Sequence, residues 1–313
     1  MITRTDVQEA ATRIAGHVRT TPVARVEPDL AGPAGALWLK LEFLQHSGSF
    51  KARGAFNRLL AAAERGDLPA AGVVTASGGN AGAAVAYAAR ALRLPAEVYV
   101  PTTAPAVKVD KLRQLGATVL RHGSEYAEAY DAAVKRAADT GALFCHAYDQ
   151  PEICAGQGTL ALELLAQVGE VDTVLVAVGG GGLMAGIAAG LDGRARVVAV
   201  EPEGASALHA ALAAGGPVDV PVAGVAADSL GARRVGGIAY EVAVRAGVRS
   251  VLVSDAQIVE ARRLLWSSHR LAVEHGTAAA MAALNSGAYR PAAGERLAVL
   301  LCGANTDPSD LAG

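Results

Sequence analysis

Short apolar runs alternate with alanine-rich stretches along most of this 313-residue chain. Each run has three to six residues bounded by glycine, proline or polar residues, and the stretches between them are rich in alanine, as helices often are. The runs cover 37–42, 73–76, 96–101, 118–120, 143–146, 173–178, 196–201, 250–253 and 297–302. Strand–helix alternation predicts an α/β protein with open, twisted, parallel-type sheets that carry helices on both faces.

Two further segments are interpreted from their local pattern. Thr5-Asp6-Val7-Gln8 matches a capping box, and Val7, Ala11, Ile14 and Val18 recur at helical spacing, so a first amphipathic helix is predicted there. Gly215 to Gly237 is rich in glycine, proline and valine and is predicted to be a long surface loop.

Charge and cysteine usage exclude several classes of function. The net charge is −2 and basic residues form no run, so neither nucleic acid nor an anionic membrane is an expected partner. The three cysteines have no C-x-x-C spacing, and the first ten residues lack the apolar core of a secretory signal, which favours a cytoplasmic enzyme acting on a small molecule. The uncharged stretch 174–191 contains six glycines and is interpreted as strand, loop and helix rather than a membrane span.

Lysine is rare in this chain, because only five of its 28 basic residues are lysines. Lys51 is one of them and lies in the segment Ser-Gly-Ser-Phe-Lys-Ala-Arg-Gly-Ala (47–55), where a loop is predicted to meet a helix. One interpretation is that this segment only caps the helix and that Lys51 has no chemical role. The chemical one is a Schiff base, which requires an amine that can lose its proton, as lysine can and arginine cannot.

Two glycine-rich segments also follow predicted strands. They are Thr75 to Gly82 (TASGGNAG) and Val178 to Leu183 (VGGGGL), and each precedes a predicted helix, whose free N–H groups can bind an anion. A tight turn is the structural alternative for both. Four successive glycines cost conformational entropy without adding packing, so phosphate binding is the favoured interpretation of the second segment.

A dinucleotide fingerprint is the weaker alternative for that second segment. It requires Ala185 in place of the third glycine, and Glu201 is the one acidic residue available at the end of the next strand. An NAD-dependent oxidoreductase therefore stays open as a rival.

The motifs, taken in order, resemble a known group. Segments 49–55, 77–80, 155–159 and 179–182, supported by Thr21-Pro22, 101–117, Glu201-Pro202, 274–277 and 301–305, occur in the order and spacing of the fold-type II (tryptophan synthase β-like) pyridoxal 5'-phosphate (PLP) enzymes. Within that group the chain resembles the threonine/serine dehydratases, also called threonine ammonia-lyases. The resemblance runs from about the first helix nearly to the C-terminus.

The resemblance implies the following roles. Lys51 is the catalytic lysine that holds the cofactor, Phe50 lies against its ring, Asn80 bonds the ring 3'-oxygen and Cys302 faces the pyridine nitrogen. The cofactor phosphate is expected on the backbone of Gly179, Gly180, Gly181, Gly182 and Leu183, and the substrate carboxylate on Ser77, Gly78, Gly79 and Ala81. A neutral thiol at 302 is a weak partner for a protonated ring, which favours prompt loss of a β-substituent over a long-lived carbanion.

The implied reaction is β-elimination, which converts L-threonine, L-serine or a related β-hydroxy amino acid to the 2-oxo acid and ammonia. β-Replacement and racemisation remain alternatives, although Gly78 stands where similar racemases carry a second serine. Many relatives have histidine and glutamine where this chain has Ala81 and Ala83, so substrate identity stays open. Asp228 and Glu203 are candidates for a metal site that is otherwise not evident.

The resemblance also implies a smaller domain at 72–147, a larger one formed by 1–71 and 148–313, and a homodimer or homotetramer.

Overall fold

The computed structural model describes residues 1–27 and 33–311 of the chain. Its strands are β1 Val23–Arg25, β2 Ala36–Lys40, β3 Val73–Ala76, β4 Ala96–Val100, β5 Thr118–Arg121, β6 Leu143–Phe144, β7 Thr173–Ala177, β8 Arg196–Pro202, β9 Arg249–Val253 and β10 Arg296–Leu300. Each of the nine predicted runs overlaps one strand, and among the described strands only the three-residue β1 was not predicted.

The helices are α1 Arg4–Arg13, α2 Lys51–Glu64, α3 Asn80–Ala91, α4 Ala106–Gln114, α5 Tyr126–Thr140, α6 Pro151–Val168, α7 Gly182–Leu191, α8 Ala207–Ala214, α9 Ala227–Leu230, α10 Gly237–Ala246, α11 Asp255–His269 and α12 His275–Asn285. Short 3-10 turns occupy Glu42–Leu44, His46–Gly48 and Ser309–Leu311. The stretch 174–191 is strand, loop and helix, as predicted. Within the described ranges, no helix combines the length and apolarity needed to cross a bilayer.

The strands form two sheets. One has the order β1-β2-β10-β7-β8-β9 and the other β5-β4-β3-β6, and every pairing is parallel except β1 with β2. Buried side chains of α1, α6, α7, α8 and α10 cover one face of the larger sheet, and those of α11 and α12 cover the other. In the smaller sheet, α2, α3 and α4 pack on one face and α5 on the other. The predicted α/β architecture is confirmed.

The smaller sheet takes all four strands from 73–144, inside the range 72–147 predicted as the smaller domain. Because β3, β4 and their neighbours run parallel, the loops that follow them emerge at one edge of that sheet. The division into two domains with these limits stays a prediction.

Two local predictions are wrong in detail. The first helix is capped by Thr3 rather than Thr5, because the Asp6 carboxylate accepts the Thr3 backbone N–H at 2.7 Å while the Thr3 hydroxyl accepts the Asp6 N–H. This helix ends at Arg13, so Val18 lies beyond it. The predicted loop 215–237 contains the one-turn helix α9, whose buried Leu230 packs on the glycine segment after β7.

Close helix contact explains part of the glycine content. Helices α6 and α7 touch along Gly158 and Gly186: a Cβ at Gly186 would lie 2.2 Å from the Cys154 carbonyl oxygen, and one at Gly158 would lie 2.5 Å from the Gly186 carbonyl oxygen. Larger residues would separate the helices and open voids in the core.

A buried ion network fixes the start of α2. The Arg53 guanidinium donates to Glu42 at 2.6 Å and to Glu163 at 2.8 Å, and the Lys40 ammonium donates to Glu163 at 2.5 Å. Arg53, Lys40 and Glu42 are essentially inaccessible to solvent. Removing one partner from such a network leaves a buried charge uncompensated and typically costs about 3–5 kcal/mol.

Candidate active site

Lys51 is the first residue of α2, where the sequence placed it. Its Nζ atom donates a hydrogen bond to the Ala147 carbonyl oxygen at 2.7 Å and lies 4.9 Å from the centre of the Phe50 ring. Burial lowers the pKa of Lys51 to about 8, and the negative charge of the Glu274 carboxylate opposes this shift only in part. The amine can therefore lose its proton close to neutral pH.

The segment before Lys51 is held against the end of β10. Phe50 N donates to the Cys302 carbonyl at 3.0 Å, Ala304 N donates to the Gly48 carbonyl at 3.0 Å, and Ser49 bridges Gly303. These bonds bring Cys302 next to Phe50 and Lys51, from which it is about 250 residues distant in sequence. The Ser49 hydroxyl is buried and has no partner in the described part of the chain.

Cys302 carries a protonated thiol. Burial raises its pKa to about 12, and the Thr277 hydroxyl lies within hydrogen-bond distance, 3.4 Å from Sγ. The predicted neutral group therefore lies beside the lysine.

Asn80 begins α3 and belongs to a polar cluster that the sequence did not reveal. Its amide nitrogen donates to both Glu274 carboxylate oxygens at 2.9 and 3.0 Å, and its amide oxygen accepts from Asn305 Nδ2 at 2.5 Å. The Asn305 backbone N–H also donates to Glu274 at 2.7 Å. Burial raises the pKa of Glu274, and these donors oppose the shift. Glu274 and Asn305 were visible only as members of motifs, without an assigned role.

The loop between β3 and α3 contains Ser77, Gly78 and Gly79, with Ala81 in the first turn of the helix. Gly79 N donates to the Ser77 hydroxyl oxygen at 3.2 Å. Gly78, Gly79 and Asn80 line a cleft of about 530 Å³ whose other wall includes Glu274 and residues 304–307. Of the four residues predicted to bind the substrate carboxylate, Gly78 and Gly79 line this cleft, whereas Ser77 and Ala81 are not among the residues that line it.

The backbone N–H groups of 179–184, at the start of α7, bond to no acceptor in the described part of the chain. Both amide atoms of Gln157 are buried and likewise unpartnered, and Gln157 Oε1 would lie 3.2 Å from a Cβ at Gly182. This concentration of free donors fits a phosphate group.

The argument that these glycines add no packing is wrong. A Cβ would lie 2.9 Å from Leu230 if added at Gly179, 2.3 Å from the Tyr148 ring at Gly180, 2.5 Å from Ala239 at Gly181 and 2.5 Å from the Tyr148 carbonyl at Gly182. One side of this segment therefore packs directly on Leu230, Tyr148 and Ala239, and these contacts require glycine whether or not a ligand is bound. Tyr148 was not singled out from the sequence.

The family pattern described as "Pyridoxal-phosphate dependent enzyme" matches residues 14–303. The chain belongs to this family. It is 42% identical over 303 residues to phenylserine dehydratase of Ralstonia pickettii, covering 96% of this chain and 92% of that protein. It is 33% identical to L-threonine ammonia-lyase of Thermotoga maritima, covering 98% of this chain and 76% of that protein.

The solved structure of maize serine racemase superposes with a TM-score of 0.90 at 32% identity, covering 99% of this chain and 95% of that one. Together these matches confirm the predicted fold-type II class, the dehydratase-like resemblance and the cofactor, PLP. The unpartnered donors at 179–184 and the deprotonatable amine of Lys51 fit the phosphate and the aldehyde of this cofactor.

Glu201 does not support the NAD-dependent rival. Its carboxylate is fully buried and accepts the backbone N–H groups of Leu208 at 2.7 Å and His209 at 2.8 Å, at the start of α8. It is therefore committed to capping a helix, and it is not available to a ribose hydroxyl.

The metal candidates Asp228 and Glu203 do not belong to a cluster of possible ligands in the described residues. Among the residues that the structure describes, no group of three or more histidine, cysteine or acidic side chains is placed to share a metal ion. Asp228 forms an ion pair with Lys108 instead.

Proposed function

We propose that this protein is a PLP-dependent ammonia-lyase that removes water and ammonia from L-threonine, L-serine or a related β-hydroxy amino acid, leaving the 2-oxo acid. The observation that carries the proposal is the Lys51 amine, which has a pKa of about 8 and lies beside a neutral thiol and a cluster of free N–H donors. The dehydratase relatives support the same reaction class.

Each predicted site residue has a role in this proposal. Residues 179–183 would hold the phosphate through backbone N–H groups, with Lys51 as the covalent attachment and Phe50 against the ring. Asn80 would bond the ring oxygen while Glu274 and Asn305 hold its amide in one orientation. When bound, PLP supplies an electron-withdrawing ring that acidifies the Cα–H bond of an attached amino acid.

The proposed reaction depends on which protons Lys51 and Cys302 hold or transfer. The released Lys51 amine, neutral near its pKa, takes the Cα proton from the face on which it lies. Ser77, Gly78, Gly79 and Ala81 bind the α-carboxylate and fix the orientation of Cα. Cys302 keeps its proton at neutral pH and so provides no negative charge to stabilise a protonated pyridine nitrogen. Loss of the β-hydroxyl is therefore favoured over return of the proton.

A bulkier substrate such as phenylserine is a second candidate. Ala81 and Ala83 are small and apolar where many relatives have histidine and glutamine, and Ala83 lines the cleft beside Asn80 together with Val107 and Leu112. The 42% identical relative is named for phenylserine. These three apolar side chains provide a surface beside Asn80 on which an aryl group would bury more area than a methyl group.

The proposal is tested by a keto-acid assay over L-serine, L-threonine, L-phenylserine and L-alanine, the last having no β-hydroxyl to lose. Wild type should release keto acid and ammonia in equal amounts from one or more of the first three. Lys51→Ala should lose this activity and the borohydride-reducible absorption band, whereas Lys135→Ala, on the exposed side of α5, should keep both. Full activity in Lys51→Ala would rule the assignment out.

We also propose a cytoplasmic location and a homodimer or homotetramer. The three cysteines are free and buried, which is compatible with a reducing compartment. Light scattering of the purified holoenzyme measures the subunit number directly.

A further inference from the structure

Four of the five lysines have an evident role, and Lys111 does not. Lys40 belongs to the buried ion network, Lys51 is the candidate catalytic residue, Lys108 pairs with Asp228, and Lys135 pairs with Asp139 at 2.9 Å. Lys111 donates to the neutral amide oxygen of Asn305. Within 1–27 and 33–311, no carboxylate forms an ion pair with it.

The fold brings Lys111 to the candidate substrate cleft. Its helix α4 follows β4, which lies parallel to β3, and the loop 77–79 follows β3. Because the carboxyl ends of parallel strands meet at one edge of a sheet, the loop and α4 lie side by side. Lys111 and the glycines at 78 and 79 line the same cleft of about 530 Å³.

A continuous set of hydrogen bonds connects Lys111 with the cofactor side of this cleft. Lys111 Nζ donates to Asn305 Oδ1, Asn305 Nδ2 donates to Asn80 Oδ1 at 2.5 Å, and Asn80 Nδ2 donates to Glu274. Glu274 already accepts three hydrogen bonds, all from these two asparagines: two from Asn80 Nδ2 and one from the Asn305 backbone N–H. An ammonium group has three donors, and Asn305 uses one of those of Lys111. The remaining two are available to a ligand in the cleft.

The loop itself offers little to a carboxylate. Gly78, Gly79 and Ala81 contribute only backbone N–H groups, and the Asn80 side chain bonds to Glu274 and Asn305 and is assigned to the cofactor ring oxygen rather than to the carboxylate. The Ser77 hydroxyl is the one side-chain donor left in this loop. A carboxylate that leaves water is held most strongly by a charged donor, and the loop has none.

We propose that Lys111 is the cationic partner of the substrate α-carboxylate, acting across the cleft from the loop 77–79. This inference rests on the proposed function, because it requires that the ligand be an α-amino acid. The alternative is that Lys111 only holds Asn305 in place. The two differ in whether the effect of Lys111 depends on a carboxylate in the ligand.

The test compares two unreactive ligands that differ by that one group. L-Alanine has an α-carboxylate and no β-hydroxyl, and ethylamine is the same amine without the carboxylate. Each is titrated into the holoenzyme while the visible absorption of the cofactor is followed, for wild type, Lys111→Met, Lys111→Arg and the control Lys135→Met. Lys111→Met should weaken binding of L-alanine about 10- to 100-fold, the range for a hydrogen bond to a charged group, and leave ethylamine binding unchanged.

Lys111→Arg should recover most of the L-alanine affinity because it keeps the charge, and Lys135→Met should match wild type. Equal weakening of both ligands in Lys111→Met would overturn the proposal, since a bracing role for Asn305 does not depend on a carboxylate. Unchanged L-alanine binding would overturn it as well. If L-alanine fails to perturb the wild-type spectrum while the cofactor is bound, the proposed function fails instead, and this inference with it.

Discussion

Substitution of Gly181 tests whether the glycine segment 179–182 is required by the packing of the fold or only by a bound ligand. Its φ angle is +86°, and a Cβ there would lie 2.5 Å from Ala239 Cβ and 3.1 Å from Val235 Cγ2. The left-handed conformation costs a residue with a Cβ about 1–2 kcal/mol, and overpacking of a filled site costs about 1–3 kcal/mol. Gly181→Ala should therefore lower the free energy of unfolding by about 2–5 kcal/mol, even in the apoprotein.

A matched control separates the two costs. Gly215 has a similar left-handed backbone (φ 77°, ψ 17°), is exposed and has no atom within 4 Å of a built Cβ, so Gly215→Ala should lose only the conformational part. Adding Ala239→Gly to Gly181→Ala should return part of the packing cost. The measurement is chemical unfolding of apoprotein and holoenzyme for each variant. Apoprotein of Gly181→Ala as stable as that of Gly215→Ala would refute the packing argument and return the glycines to a purely ligand-binding role.

Three further predictions concern single groups. A Cβ at Gly78 would lie 3.6 Å from Val100, an ordinary contact, so a serine should fit there. Because Lys51 reaches only one face of Cα, the hydroxyl in Gly78→Ser should supply a proton on the other face and raise the ratio of D-serine to pyruvate formed from L-serine; an unchanged ratio by chiral chromatography would contradict this role of position 78. Burial raises the pKa of Glu201 from 4.5 to about 7, so the folded state keeps a proton that the unfolded state releases, and up to about 3 kcal/mol of stability is lost as pH rises through this window. Glu201→Gln should flatten that slope in thermal unfolding between these two pH values, and a slope equal to that of wild type would count against it. Since the pKa of Lys51 is about 8, covalent capture of PLP by apoprotein should accelerate about tenfold per pH unit below that value and level off above it; acceleration continuing to the ordinary lysine value of 10.5 would contradict the burial argument.

The strands and the position of Lys51 could be predicted because their signal is local. A buried strand requires a short apolar run whatever its neighbours are, and each of the nine runs overlaps a strand. The capping box was assigned to the wrong residues because two overlapping segments, Thr3 to Asp6 and Thr5 to Gln8, satisfy the same pattern. Thr3 and Asp6 form it because a short carboxylate at this spacing reaches the backbone N–H at 2.7 Å.

The polar cluster at the cleft could not be predicted, because its members become neighbours only in the fold. Lys111 and Glu274 lie 194 residues from their partners Asn305 and Asn80, respectively. No periodicity or spacing relates such pairs. The sequence did carry one usable signal, the scarcity of lysine, which made each remaining lysine worth following into the structure.

Ala147 and Tyr148 connect Lys51 with the glycine segment 179–182. The Ala147 carbonyl accepts the hydrogen bond of Lys51, and the next residue, Tyr148, lays its ring on Gly180. Tyr148 is held at two further points, because its hydroxyl donates to the Arg234 carbonyl at 3.2 Å and its own carbonyl accepts from the Cys154 thiol at 3.1 Å. Because Gly180 has no side chain, the Tyr148 ring can pack directly on its backbone. This contact sets the distance between the backbone at Ala147 and the free N–H groups of 179–184. The spacing between the proposed covalent attachment and the proposed phosphate site is thus a property of protein packing, set before any cofactor binds.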